Sequence, residues 1–187
     1  MNAQQQQQLS ITGQMVQGHP KKENTTGHNN KPLTYKDGSP RTEFFLGVAV
    51  AKTDPAFNAL WVQLQQIAQR DFPGGESKKT DFAWKVTNGD DAKVATKEGF
   101  PGHWVFKFTN GFPIRTVTKG GEQELNSEEG LKPGDYVRVF FYAKGNGDGD
   151  KSGIYLNPHL VEVVGYGQEI VGGPDAKAVI AEVGAAV

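Results

Sequence analysis

Apolar positions in this chain alternate far more often than they recur at helical spacing, and the alternating runs predict a mostly-β protein. Ser10 to Gly18 reads as the first strand and ends at His19-Pro20. Thr42 to Lys52 is the second. Phe44, Leu46, Val48 and Val50 share one face, and Phe45, Gly47, Ala49 and Ala51 the other. Both faces are apolar, which places this strand inside a sheet. His103 to Thr109 alternates with Trp104, Phe106 and Phe108 on one side. An Asn110-Gly111 turn then leads to a short strand from Pro113 to Thr118. Pro133-Gly134-Asp135 turns the chain into Tyr136 to Lys144, and Ile154 to Val164 closes the set, bent at Pro158.

One segment has helical spacing. Phe57, Leu60, Trp61, Leu64, Ile67 and Ala68 form an apolar stripe opposite Asn58, Gln65, Gln66 and Gln69. Asp54 can cap its start and Pro55 suits the first helical position. Phe72-Pro73-Gly74-Gly75 ends it, giving a helix over about 55–71 that covers a barrel end or a sheet face.

Between the strands lie polar segments. Lys21 to Arg41 has almost no apolar residues and reads as a loop or an extended hairpin. Gly145 to Gly153 is a Gly/Asp loop. With 24 glycines and 10 prolines among 187 residues, the chain is punctuated for many short strands. Five or six strands, one helix and long loops predict a single OB-like β-barrel, closed or partly open. The helix follows the second strand, whereas in the simplest OB pattern it follows the third. The organisation expected is a disordered Gln-rich tail over 1–8, a barrel domain over 9–171, and a tail or short helix over 172–187.

Charge and composition remove several classes. No cysteine is present, which excludes disulfides, thiolate metal sites and cysteine catalysis. The run Phe44 to Ala51 is too short to span a bilayer, and the amino terminus lacks the pattern of a secretory signal. A cytoplasmic protein with no membrane partner is expected. Phosphate-loop and nucleophile-elbow motifs are missing. His19, His28, His103 and His159 have no metal-ligand spacing and read as surface or strand-end residues. Asn146, Asp148 and Asp150 mimic the start of a calcium loop, but Lys151 stands where glycine is required and Asn157 where glutamate is, so a hairpin turn is the better reading. No enzyme, metal or cofactor is expected. The net charge of −1 is segregated, +5 over residues 1–120 and −6 over 121–187, which can place a basic face on a neutral protein.

The candidate chemistry is binding. One face of Tyr136 to Lys144 carries Val137, Val139, Phe141 and Ala143; the other carries Tyr136, Arg138, Phe140, Tyr142 and Lys144. Aromatics interleaved with cations suit single-stranded nucleic acid, because rings stack on bases while Lys and Arg neutralise phosphates. Trp84, Lys85, Lys107, Arg115 and Tyr155 extend the candidate set. RNA is compatible too, since stacking does not read the 2′-hydroxyl. A β-barrel that binds another protein, such as a virion-assembly factor, is the alternative. The sequence leaves self-association and replication partners open.

Short motifs in a fixed order add a resemblance. Phe82-Ala83-Trp84-Lys85, Gly134-Asp135-Tyr136-Val137-Arg138-Val139, Gly145-Asn146-Gly147, Gly153-Ile154-Tyr155-Leu156-Asn157, Gly165-Tyr166-Gly167 and Gly173-Pro174-Asp175-Ala176 occur in sequence. Over roughly residues 10 to 176 the chain resembles a family of bacteriophage-encoded single-stranded-DNA-binding proteins with an OB fold. The resemblance implies a protein that coats and protects single-stranded DNA during phage replication and recombination, in the cytoplasm of the infected bacterium. It does not extend to an acidic partner-recruiting tail, because residues 172–187 hold only Asp175 and Glu182 against Lys177.

Overall fold

The computed structural model describes residues 6–27, 30–147 and 152–172. Its elements are β1 (Gln8–Asn24), β2 (Glu43–Ala51), α1 (Pro55–Asp71), β3 (Val86–Asn88), β4 (His103–Asn110), β5 (Arg115–Val117), β6 (Tyr136–Asn146) and β7 (Gly153–Gly165). The strands form one seven-stranded sheet in the order β3-β4-β2-β1-β6-β7-β5. Every pairing is antiparallel except β5 with β7.

β1 is the organising strand. Its first half pairs with β6, from Gln8 opposite Tyr142 to Gln14 opposite Tyr136. Its second half pairs with β2, with register shifts after Met15 and after His19. The shifts bend the strand and let it serve both halves of the sheet. The sheet curls until β4 approaches β7. No ladder joins those two strands; the Asn110 side-chain amide donates to the Pro158 carbonyl at 2.9 Å, and in the core beneath them Phe108 of β4 meets Phe141 of β6 edge-on at 4.9 Å. Ahead of β3, Ala83 bridges in parallel to Gly153. The concave side holds the core, in which Leu46, Val48, Phe106, Phe108, Val137, Val139 and Phe141 are fully buried.

α1 forms where expected. The Asp54 carboxylate accepts from the Ala56 amide at 2.9 Å, and Pro55 opens the helix. Phe57, Leu60, Leu64, Ile67 and Ala68 face inward. Phe57 stacks on Trp104 at 5.0 Å, and Trp61 meets Trp84 at 4.7 Å. Burial of each large side chain here is worth about 1.5–3 kcal/mol. Among the described residues no helix is long and apolar enough to cross a membrane, and no group of acidic residues and histidines is placed to hold a metal ion.

Several expectations need correction. β1 does not stop at His19-Pro20 but runs on to Asn24. Gln8 opens it, inside the segment assigned to the tail. The short strand expected over Pro113 to Thr118 spans only Arg115–Val117, and it pairs in parallel with Leu160–Glu162 of β7. Asp148 and Asp150 of the calcium-like loop, His28, and the terminal segment from residue 173 lie outside the described residues.

His19 is not a surface residue. It is buried, its Nε2 bonds the Leu131 carbonyl at 3.1 Å, and its Nδ1 accepts from the Lys21 amide at 3.0 Å. That pattern requires the neutral ring. Burial lowers its pKa from the ordinary value of about 6.5, against a counteracting bond to Leu131 and charge on Glu128. Because the unfolded chain then binds the proton more readily, stability is full above the unfolded pKa and is lost as pH falls through that value towards the folded one. Urea midpoints should therefore drop between pH 7.5 and pH 5. His19→Gln should drop less, the remainder coming from His159, whose pKa burial also lowers. Equal losses in both proteins would remove His19 as a cause.

Candidate nucleic-acid interface

Strand alternation sets the outward face of β6. Val137, Val139, Phe141 and Ala143 point to the core, while Tyr136, Arg138, Phe140, Tyr142 and Lys144 point out. Tyr136 and Lys144 are exposed, and Phe140 and Tyr142 are half-buried. The neighbouring row on β1 is polar: Ser10 lies opposite Phe140 and Thr12 opposite Arg138. On the other side Tyr155 lies opposite Lys144, Asn157 opposite Tyr142 and Glu162 opposite Arg138. A register shift between Phe140 and Phe141 turns His159 onto the Tyr142 ring, with centroids 4.9 Å apart.

Two cations of this face, Arg138 and Lys144, are available to meet an anion. The Arg138 guanidinium rests 5.8 Å from the Phe140 ring. Its neighbour Glu162 is engaged elsewhere, accepting from the Gly120 amide at 2.9 Å. Among the described residues, Arg138, Lys107 and Lys144 take part in no ion pair.

A second group stands on the far side of β2. Lys107 projects from β4, with its ammonium 5.4 Å from the Phe45 ring. Lys85 has a positive φ of 61°, a conformation that costs a non-glycine residue about 1–2 kcal/mol. Its carbonyl accepts from the Lys107 amide at 2.8 Å. The Lys85 ammonium is held below the usual lysine pKa, first by partial desolvation and then by the Lys107 charge, against the opposing charge of Glu43.

Between the two groups lies a cleft at the β4–β7 seam. It is lined by Tyr35 and Arg41 from the long loop, Thr109 and Asn110 from β4, and Lys144, Tyr155 and Asn157 from the β6–β7 hairpin. Arg41 pairs with Glu43 at 3.4 Å, yet its Nε is buried without a partner. Thus Tyr136, Arg138, Phe140, Tyr142, Lys144 and Tyr155 share one continuous surface, and the cleft connects it towards Lys107 and Lys85.

Two of the sequence candidates stand apart. Trp84 is half-buried against Trp61 and Phe82, on the helix side. Arg115 is on the outward row beside Leu160, but its guanidinium is committed to Glu124. Sequence reasoning missed Tyr35, Phe45 and His159. Only Tyr35 carried a signal, as the one aromatic in a lysine-rich polar loop.

No protein-family model matches the sequence, and no curated protein matches it. Solved structures do. The single-stranded DNA-binding protein from bacteriophage Enc34, in complex with ssDNA, superposes with a TM-score of 0.66 at 13% identity, covering 88% of this chain and 89% of that one. The single-stranded DNA binding protein gp2.5 encoded by bacteriophage T7 superposes with a TM-score of 0.61 at 11% identity, covering 95% and 94%. The chain therefore has the fold of bacteriophage single-stranded DNA-binding proteins.

Proposed function

We propose that this protein binds single-stranded DNA with little regard to sequence and performs no covalent chemistry. Its role is to coat and protect the strand during phage replication and recombination. The reading rests most on the outward face of β6 and β7, where rings and unpaired cations alternate. The likeness to phage proteins of that function supports it. β1, β2, β4, β6 and β7 supply the strands of an OB-like barrel, with β3 and β5 added at the edges. OB barrels engage oligonucleotides with the face of their second and third strands and the adjoining loops. Here those strands are β2 and β4, with Lys107 over Phe45. The proposed path starts there, crosses the seam through the cleft, and continues over Tyr155, Tyr142, Phe140 and Arg138.

Fluorescence anisotropy with labelled oligo-dT and a matching duplex tests the reading. Tighter binding to the single strand is expected. Equal or tighter binding to duplex, or none at low salt, would sink it. With about 3–5 phosphates neutralised, log K against log salt should slope at about −2 to −3.5.

Residues of the path separate by mechanism. Tyr142→Ala should weaken binding by about 1–3 kcal/mol with little change in slope, because stacking releases no counterions. Arg138→Ala should flatten the slope by about 0.7 if it meets one phosphate. The opposite assignment of slope changes would show that the two residues have been given the wrong roles.

A further inference from the structure

Phe112 occupies the turn leaving β4, and no large apolar side chain among the described residues is more exposed, at 76%. Free exposure of a phenyl ring is unfavourable in water, and the backbone that carries this one is fixed from both sides. Asn110 accepts the Phe112 amide on its Oδ1 at 3.1 Å while its amide nitrogen bonds Pro158 across the seam. Pro113 follows, which restricts Phe112 to extended backbone and fixes the next φ. Beyond it, the Ile114 amide donates to the Pro20 carbonyl at 2.9 Å. The preceding residue, Gly111, lines the cleft beside Tyr155, Lys144 and Tyr35.

An exposed ring on an ordered turn, one residue from the lining of a cleft of this chemistry, has one economical use. We propose that Phe112 is a further contact residue, which stacks on a nucleobase as the strand passes the β4–β7 seam. The proposal rests on the single-stranded DNA reading and adds to it a residue outside the strand faces. Because the backbone of the turn is already ordered, the conformational entropy lost when a base settles on the ring is that of its own side-chain rotamers. A base needs a π-face and not merely an apolar surface, which distinguishes stacking from hydrophobic docking of a protein.

The test measures oligo-dT affinity for the wild-type chain, Phe112→Ala, Phe112→Leu and Phe112→Trp, with melting temperatures alongside. Folding should be unaffected, since the ring packs on little. Phe112→Ala should bind about tenfold more weakly, within a range of about five- to 150-fold for loss of one stacked base. Phe112→Leu should be impaired similarly, and Phe112→Trp should bind at least as well as the wild type. The salt slope should not move in any of them. An oligonucleotide carrying 5-iodouracil should also crosslink to the peptide containing Phe112. If the wild type binds and Phe112→Ala binds equally well, the inference is overturned while the DNA reading stands. Full activity of Phe112→Leu would overturn stacking as well. A change in sedimentation without a change in affinity would make the ring an interface between copies of the chain, and that too overturns it. If the wild type binds no single strand, both fall together.

Discussion

Phe141→Ala is expected to lower stability by about 3–5 kcal/mol, because a fully buried phenyl ring is removed and the cavity cannot collapse. The ring meets Phe108 of β4 in the core, between strands that no backbone ladder joins. Its neighbour Phe140 points the other way. Phe140→Ala should instead weaken oligo-dT binding by about 1–3 kcal/mol and cost less stability than Phe141→Ala. Urea midpoints and anisotropy on the two variants form a test of the strand's orientation. If Phe140→Ala is the more destabilising, or if Phe141→Ala alone reduces binding by the folded fraction, the ligand face has been assigned backwards.

The second large effect is expected at Gly134, in the turn before β6. Its φ is +110°, and a Cβ there would sit 1.9 Å from the Gln168 carbonyl oxygen. Gly134→Ala should therefore cost about 1–3 kcal/mol for the strained backbone and about 1–3 kcal/mol more for the forced contact. The segment it displaces is tied down beside it. Buried Asp135 accepts from the Lys132 amide at 2.9 Å, the Lys132 ammonium at 2.6 Å and the Gly167 amide at 3.0 Å. Gly38 provides the control, since its φ is +83° and no atom lies within 4 Å of a Cβ built there. Thermal melts of Gly134→Ala and Gly38→Ala should differ by the contact cost. Equal losses would show that the 165–170 segment gives way freely.

What could be read from residues alone follows physical lines. The β6 face was legible because a period of two separated an apolar row from an aromatic and cationic one, and burial follows that pattern directly. α1 was legible because cap, proline and stripe agree. β5 was not, because three residues carry no periodicity and the partner they choose lies some 45 residues away, at Leu160–Glu162. The stretch from Gly89 to Gly102 was equally silent. It has no regular spacing, yet Phe100 and Val94 fold over Val16, Ala49 and Val105 to make a second small apolar cluster. That cover explains why β2 is apolar on both faces. His19 misled because Gly18 and Pro20 signal a strand end, whereas here they mark a bend within β1. Among the site residues, strand positions were found by alternation. Tyr35 and Arg41 could be read as an aromatic and a cation of a polar loop but not placed at the site, because a loop's position over a cleft depends on how the sheet curls.

The double duty of β1 also dictates when the molecule can be completed during synthesis. The strand leaves the ribosome before the others of the sheet, but the β6 residues that pair with Gln8 to Gln14 are 122 to 134 positions later. At elongation speeds of about 5–20 residues per second, that is a wait of roughly 6 to 27 s. Through that interval Leu9 and Ile11, buried in the finished sheet, have no β6 beside them. β2 can pair with the far half of β1 much sooner. The nascent chain should therefore pass through a half-built sheet with one open edge, and contacts so distant in sequence place its refolding among slow, millisecond-to-second topologies.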